Sequence, residues 1–187
     1  MMPPVPLVWP AAAPGHGEVT LRATTAADAG MVRELSQDPY IPMIGTIPAH
    51  ATQAQALDWI AAQQQKWVRG SGYPFTIVQA VTSGAVGHCG LWLSGLAQGR
   101  ASAGYAIAPR HRGRGFAADA LTALTAFAWT VPGLRRVEAY VEPSNAASIR
   151  AAERAGYERE SVLPRHQEIG GRLRDMALYA ATSPSSA

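Results

Sequence analysis

The 187-residue sequence holds a single cysteine, Cys89. One thiol excludes an intrachain disulfide framework and a cysteine-rich metal site, and no metal centre is expected. Cys89 lies between His88 and Gly90 in an apolar run, which suits a buried, inert thiol. Charge is also scarce, 16% of residues against 48% hydrophobic ones, so the chain reads as soluble and globular rather than disordered. Its length fits one domain with a sizeable core. Long apolar runs are missing. The stretch from 121 to 131 contains threonines and is too short to cross a bilayer, so no membrane partner is expected. Residues 1 to 14 lack a basic leader segment, and Pro3, Pro4, Pro6 and Pro10 break up any signal-peptide core. The expected location is the cytoplasm.

The charge that is present is mildly basic, a net +3 with a pI of about 9.4. Its distribution says more than its size. Arg110, Arg112 and Arg114 fall within five residues, with His111 between them. So compact a cluster suits a small phosphate-bearing ligand, or a solvated surface patch, better than a nucleic-acid track. No recognition helix or aromatic platform accompanies it, and no nucleic-acid partner is expected.

Residues 1–17 are rich in Pro and Ala and read as an N-terminal arm, ordered against a neighbour if at all. Residues 18–181 read as the folded domain and 182–187 as a flexible tail. Strands are expected at 18–22, 75–81, 85–93, 102–108, 136–141, 157–163 and 173–180. Helices are expected at 27–36, 52–67, 117–130 and 145–155. Pro39, Pro42 and Pro48 should keep the segment after the first helix irregular. Gly156 sits where a left-handed helix cap would fall. The order β-α-α, a meander, then β-α-β-α-β-β indicates an α/β (α+β) single domain. Its central sheet should be mixed and mostly antiparallel, of about six to seven strands flanked by about four helices.

The informative stretch is 104–118. A strand, Tyr105-Ala106-Ile107, leads through Ala108-Pro109 to Arg110-His111-Arg112-Gly113-Arg114-Gly115 and then a helix. Two glycines let the backbone turn tightly and approach a ligand without a Cβ in the way. The following helix points free N–H groups and its positive dipole end at the loop, which suits phosphate oxygens, and the arginines add charge-assisted donors. Gly113, Gly115 and Ala118 also fit the dinucleotide pattern G-x-G-x-x-A. That motif normally opens its domain directly after a strand, whereas here residues 109–112 intervene and most of the sheet lies upstream. A P-loop is excluded, because no Gly-Lys-Ser/Thr follows.

Arg110-x-x-Gly113-x-Gly115 resembles the acyl-CoA pyrophosphate motif of the GNAT N-acetyltransferases. Gly87-His88-Cys89-Gly90-Leu91-Trp92 and Gly104-Tyr105-Ala106-Ile107 are similar to two of that family's central strands. Pro143 to Ser148, followed by Ala155-Gly156-Tyr157, resembles its Asn-containing helix. Val162-Leu163-Pro164-Arg165, Gly170-Gly171 and Arg174-Asp175 resemble the branch of ribosomal-protein N-terminal (alanine/serine) acetyltransferases. The resemblance runs from about Val19 to Tyr179.

It implies acetyl transfer from acetyl-CoA to a primary amine, by direct attack in a ternary complex. The acceptor would be a protein or peptide N-terminus or a small amine, and a homodimer is the family habit. A non-catalytic acyl-CoA-binding or regulatory module of the same fold is the alternative. Coenzyme A would be held by main-chain N–H groups from Arg112 through Gly113, Arg114, Gly115 and Phe116 to Ala117. Arg110 would be the motif's lead residue, Ile107 and Ala108 would pair with the pantetheine arm, and Asn145 would bind it or cap its helix. The N–H groups from Tyr105 to Ala108 would stabilise the oxyanion. Ser148 would be the acid for the thiolate, because the family's tyrosine position is occupied by Ala152. Ser102 stands where a glutamate base is usual. That leaves Glu138, Glu142, Glu168 or a water chain as the base. Tyr40 to Ile47, Trp92 and Arg165, with Ser102, would frame the acceptor pocket.

Overall fold

The computed structural model describes residues 7–184. One sheet of eight strands runs in the order β1-β2-β3-β4-β5-β6-β8-β7. The strands are β1 (Gly15–His16), β2 (Val19–Ala23), β3 (Gly72–Gln79), β4 (Ala85–Trp92), β5 (Arg100–Ile107), β6 (Arg136–Val141), β7 (Glu158–Ile169) and β8 (Arg172–Thr182). The five helices are α1 (Ala29–Leu35), α2 (Ile41–Ile44), α3 (Gln53–Val68), α4 (Phe116–Ala128) and α5 (Ala146–Arg154). Every strand pair is antiparallel except β5–β6. The sheet is therefore mixed and mostly antiparallel, as expected, but larger by β1 and accompanied by one more helix, α2.

Helix α2 appears where Pro42 was expected to prevent order. Proline at the start of a helix has no N–H to leave unpaired, and its fixed φ suits the first turn. Asp38 anchors that turn: its Oδ1 accepts from the N–H groups of Tyr40 at 2.8 Å and Ile41 at 2.9 Å. Strand β3 starts three residues earlier than expected and includes Pro74. The β2 register ends at Ala23–Phe75, so Pro74 lies where no β2 partner needs an N–H.

The other elements follow from local chemistry. Thr52 and Gln55 cap α3 reciprocally, Gln55 N–H donating to Thr52 Oγ1 and Thr52 N–H to Gln55 Oε1. Ala56, Trp59, Ile60 and Gln63 then form its buried stripe. Asn145 caps α5 by accepting from Ser148 N–H at 3.1 Å, and Gly156 follows its end at φ +83°.

The core lies on both faces of the sheet. On one face α4 buries Phe116, Leu121 and Leu124 against Phe75, Leu91 and Val137. Each such side chain contributes about 1.5–3 kcal/mol when removed from water. On the other face α1 and α3 enclose Val32, Leu35, Trp59 and Ile60. From Leu7 onward the stretch expected as an arm lies on the domain itself. Trp9 packs at 4.9 Å from Phe75 and edge-on at 5.9 Å from Trp67, and β1 joins the sheet, so its order needs no neighbouring molecule. At the other end β8 reaches Thr182, and Ser183 N–H donates to Arg135. Residues 1–6 of the expected arm and 185–187 of the expected tail lie outside the described residues.

Candidate active site

Strand β5 has two different flanks. It stays paired with β4 from Gly87↔Ile107 to Trp92↔Ser102. With β6 it shares only Arg100↔Arg136, Ala101↔Val137 and Ser102↔Glu138. Beyond Ser102 the two strands separate, and the β6-facing edge of residues 103–107 is left without a strand partner. A cavity of about 660 Å³ lies at this split, reaching Tyr105, Ala106 and Ile107 of β5, the following loop, α5 and the α1–α2 connection.

The loop supplies the cavity's main-chain donors. Gly113 and Gly115 have φ of +76° and +85°, a region that costs other residues strain. A Cβ on Gly113 would meet nothing within 4 Å, so the space over the loop is open. Among the described residues the N–H groups of Gly113 through Ala118 have no hydrogen-bond partner; the first bonded N–H is that of Asp119, to Gly115. These donors converge at the positive end of α4.

Two arginines of the loop are braces. Arg112 Nη2 meets Asp38 Oδ2 at 2.8 Å, while its Nε donates to the Ile107 carbonyl at 3.1 Å. Arg110 reaches Glu34 at 3.1 Å and donates to His111 Nε2. A His111 that accepts at Nε2 carries its proton on Nδ1, which is shielded and has no partner among the described residues. Burial alone would raise Asp38, but the Ile41 and Tyr40 N–H groups and Arg112 outweigh it and hold the carboxyl below its usual range. The loop and the α1–α2 connection are thereby tied into one wall. Arg114 lies 4.7 Å over the Phe116 ring, without a carboxylate partner among the described residues.

Helix α5 forms the opposite wall. Tyr105 donates from its hydroxyl to the Ser148 carbonyl at 3.1 Å, fixing α5 to β5, and burial pushes its phenol up. No hydrogen bond turns the Ser148 hydroxyl back onto the preceding helical turn; its side chain hydrogen-bonds the Tyr105 hydroxyl instead. Asn145 Oδ1 is used as the helix cap. Tyr40 donates to Glu142, and its hydroxyl also hydrogen-bonds the Asn145 side chain. Burial, and then the Glu142 carboxylate, push the Tyr40 phenol well above its ordinary value.

The structure brings most of the expected residues together. Tyr40, Tyr105, Ile107, Arg112, Gly113, Gly115, Phe116, Ala117, Asn145 and Ser148 all line the cavity. Ala108 does not: it is fully buried and its N–H is already given to Val86, so it cannot pair with an incoming arm through that group. Arg110 points to Glu34 instead. Ser102 and Trp92 pair with each other on the last rung before the split, and neither lines the cavity. Trp92 covers Gly90 and Gly104, and the Lys66 amine sits 4.3 Å above its ring. Lys66 in turn lines a second, more open cavity of about 420 Å³ with Thr46, Trp59 and Gln63 along α3. Arg165 lies at a bulge of the β7–β8 hairpin, its N–H held by Asp175. Cys89 is fully buried, which pushes its thiol up. Sequence reasoning missed Asp38, Arg150 and Arg154. The only signal for the arginines was their four-residue spacing on a helix that also carries Asn145 and Ser148.

An opened strand beside a glycine loop and a helix N-terminus has counterparts among known proteins. The profile of the family described as "Acetyltransferase (GNAT) domain" matches residues 18–158. The chain is 30% identical to the uncharacterized N-acetyltransferase p20 of Bacillus licheniformis, over 87% of this chain and 91% of the relative. It is 27% identical to the uncharacterized N-acetyltransferase YoaA of Bacillus subtilis, over 70% of this chain and 73% of that protein. Among solved structures it superposes on Mycobacterium smegmatis RimJ in complex with CoA-disulfide. The TM-score is 0.78 and the identity 28%, covering 90% of this chain and 83% of that one. The chain belongs to the GNAT acetyltransferase family and is an acyltransferase.

Proposed function

We propose that the chain transfers an acetyl group from acetyl-CoA to a primary amine, with the thioester seated where β5 leaves β6. The observation that carries this reading is the run of unpartnered N–H groups from Gly113 to Ala118, placed directly beside the unpaired edge of β5. A diphosphate fits the first and an extended amide-bearing arm fits the second, as an added strand would. RimJ supports it as a relative solved with a coenzyme A derivative.

In this reading a neutral amine attacks the thioester carbonyl. A main-chain N–H of β5 between residues 103 and 107 stabilises the oxyanion; the Ala108 N–H is committed elsewhere. Ser148 hands its proton to the departing thiolate, and its hydroxyl, beside the Tyr105 phenol in the cavity lining, suits that role. The amine's proton goes to Tyr40 as Tyr40 passes its own to Glu142, so the carboxylate absent at Ser102 is supplied from the end of β6. The acceptor enters past Tyr40 and the α1–α2 connection, from a peptide N-terminus or a small amine. The enzyme works in the cytoplasm, where acetyl-CoA is made available, and family habit suggests a homodimer.

The non-catalytic alternative draws on Ala152, a fully buried alanine where many relatives carry a tyrosine. Release of free thiol from acetyl-CoA across a panel of seryl, alanyl and other peptides and of small amines decides between the two. Turnover with any amine above the hydrolysis background supports transfer, and binding without turnover on the whole panel overturns it. Ser148→Ala should then lower kcat by about 10²-fold, the lower range for a proton-transfer group, with acetyl-CoA affinity unchanged.

A further inference from the structure

We propose that Arg150 and Arg154 form a separate phosphomonoester subsite, which takes the 3′-phosphate of coenzyme A and makes the chain discriminate against dephospho-CoA. The proposal rests on the reading of coenzyme A as the donor. Its basis is a contrast in how the cations around the cavity are partnered.

Arg110 and Arg112 are neutralised by Glu34 and Asp38. Arg150 and Arg154 also line the cavity, but among the described residues neither has an ion pair or a hydrogen bond from its side chain. They are four residues apart on α5 and so share one face of the helix. Like charges in that relation destabilise a helix unless something anionic lies between them. The intervening carboxylate does not serve, since Glu153 instead accepts from the Tyr179 hydroxyl at 3.4 Å. Arg154 is aimed at the loop, since a Cβ on Gly115 would lie 3.9 Å from both of its terminal nitrogens, and Arg150 lines the same cavity one turn earlier.

The ligand's charges divide accordingly. The diphosphate can be met by the main-chain N–H groups of Gly113 through Ala118, which need no side chain. Coenzyme A carries one more phosphate, a monoester with three free oxygens and close to two negative charges near neutral pH. Two guanidinium forks match such a group better than they match a singly charged diester oxygen. The subsite involves no bond-making step; it positions the nucleotide end of the donor by charge.

Calorimetric titration of the full chain with coenzyme A and with dephospho-CoA tests this without any acceptor. The variants are Arg150→Gln, Arg154→Gln and the double substitution; both side chains are exposed, so the fold should survive, and melting curves check it. The wild type should bind coenzyme A at least about 10-fold more tightly than dephospho-CoA, the effect of one or two charge-assisted contacts. Added salt should narrow the ratio. In the double variant the ratio should fall to about one, with dephospho-CoA affinity nearly unchanged. A wild-type ratio near one overturns the subsite, and so does a double variant that weakens both ligands equally, which would assign the arginines to the diphosphate. Wild-type protein that binds neither ligand sinks the donor reading itself.

Discussion

Five arginines lie on the loop and the helix that border the cavity, in two groups. Arg110 and Arg112 end on carboxylates of α1 and of the connection behind it, whereas Arg114, Arg150 and Arg154 have no carboxylate partner among the described residues. All five look alike in the sequence. Paired, a guanidinium is mortar: Arg112 ties Asp38 and the Ile107 carbonyl together and so holds one wall of the cavity as a unit. Unpaired, it is a standing positive potential at the mouth of a site whose floor is made of N–H groups. The difference lies in which acidic side chain the fold brings within reach, and that is decided by elements more than 70 residues apart in the chain.

The two groups can be told apart by substitution, beginning with the floor they surround. Gly115→Val should have the largest effect. A β-branched residue at φ +85° costs on the order of 1–3 kcal/mol and places methyl groups over the N–H donors. Coenzyme A affinity should fall more than about 100-fold by calorimetry while the protein stays folded; retained affinity would detach the loop from the ligand. Asp38→Asn should come next, and mainly in stability. Losing the charge partner of Arg112 in a buried position costs about 1–3 kcal/mol in urea unfolding at pH 7. The sign with pH follows from the lowered native value. The unfolded chain takes up the proton first, so the carboxylate's contribution is complete above its ordinary value of 3.8 and lost as pH falls below it through the native value. The gap between wild type and variant should be flat from about pH 5 to 7 and close below that. A gap that widened on acidification would contradict the assignment. Arg110→Ala should do least. Its side chain is 68% exposed in the pair with Glu34, so stability should move by less than about 0.5 kcal/mol, and a change in coenzyme A affinity above about 3-fold would place it among the ligand-binding cations instead.

How far the sequence anticipated this arrangement depends on the range of the interaction. The loop and α4 were legible because strand, glycines and helix start are contiguous, and α5 was legible from Asn145 and Gly156, a cap and a stop on either side of a 9-residue helix. Helix α2 was not: Pro42 reads as a breaker unless Asp38 is known to be buried and hydrogen-bonded to the first turn. The Tyr40–Glu142 pair spans 102 residues, and no local pattern announces it. Ser102 was assigned to the acceptor side from its place in the motif; its pairing with Trp92 and Glu138 sets it on the last rung before β5 and β6 part, which only the register of three strands reveals. The commitment of the Ala108 N–H was hidden for a similar reason, since its hydrogen bond to Val86 is invisible until β4 is in place.

The short pairing between β5 and β6 has a consequence for solution dynamics. Two blocks of sheet, β1 to β5 and β6 to β8, are stitched directly by three residue pairs and otherwise lean on shared packing. In the empty protein every second amide from Ala103 to Ile107 faces the gap and should exchange with deuterated solvent within the fast phase, while its neighbours bonded to β4 stay protected. An occupant lying in the gap would bridge the two blocks, and its arrival should be read as a slowing of those alternate amides.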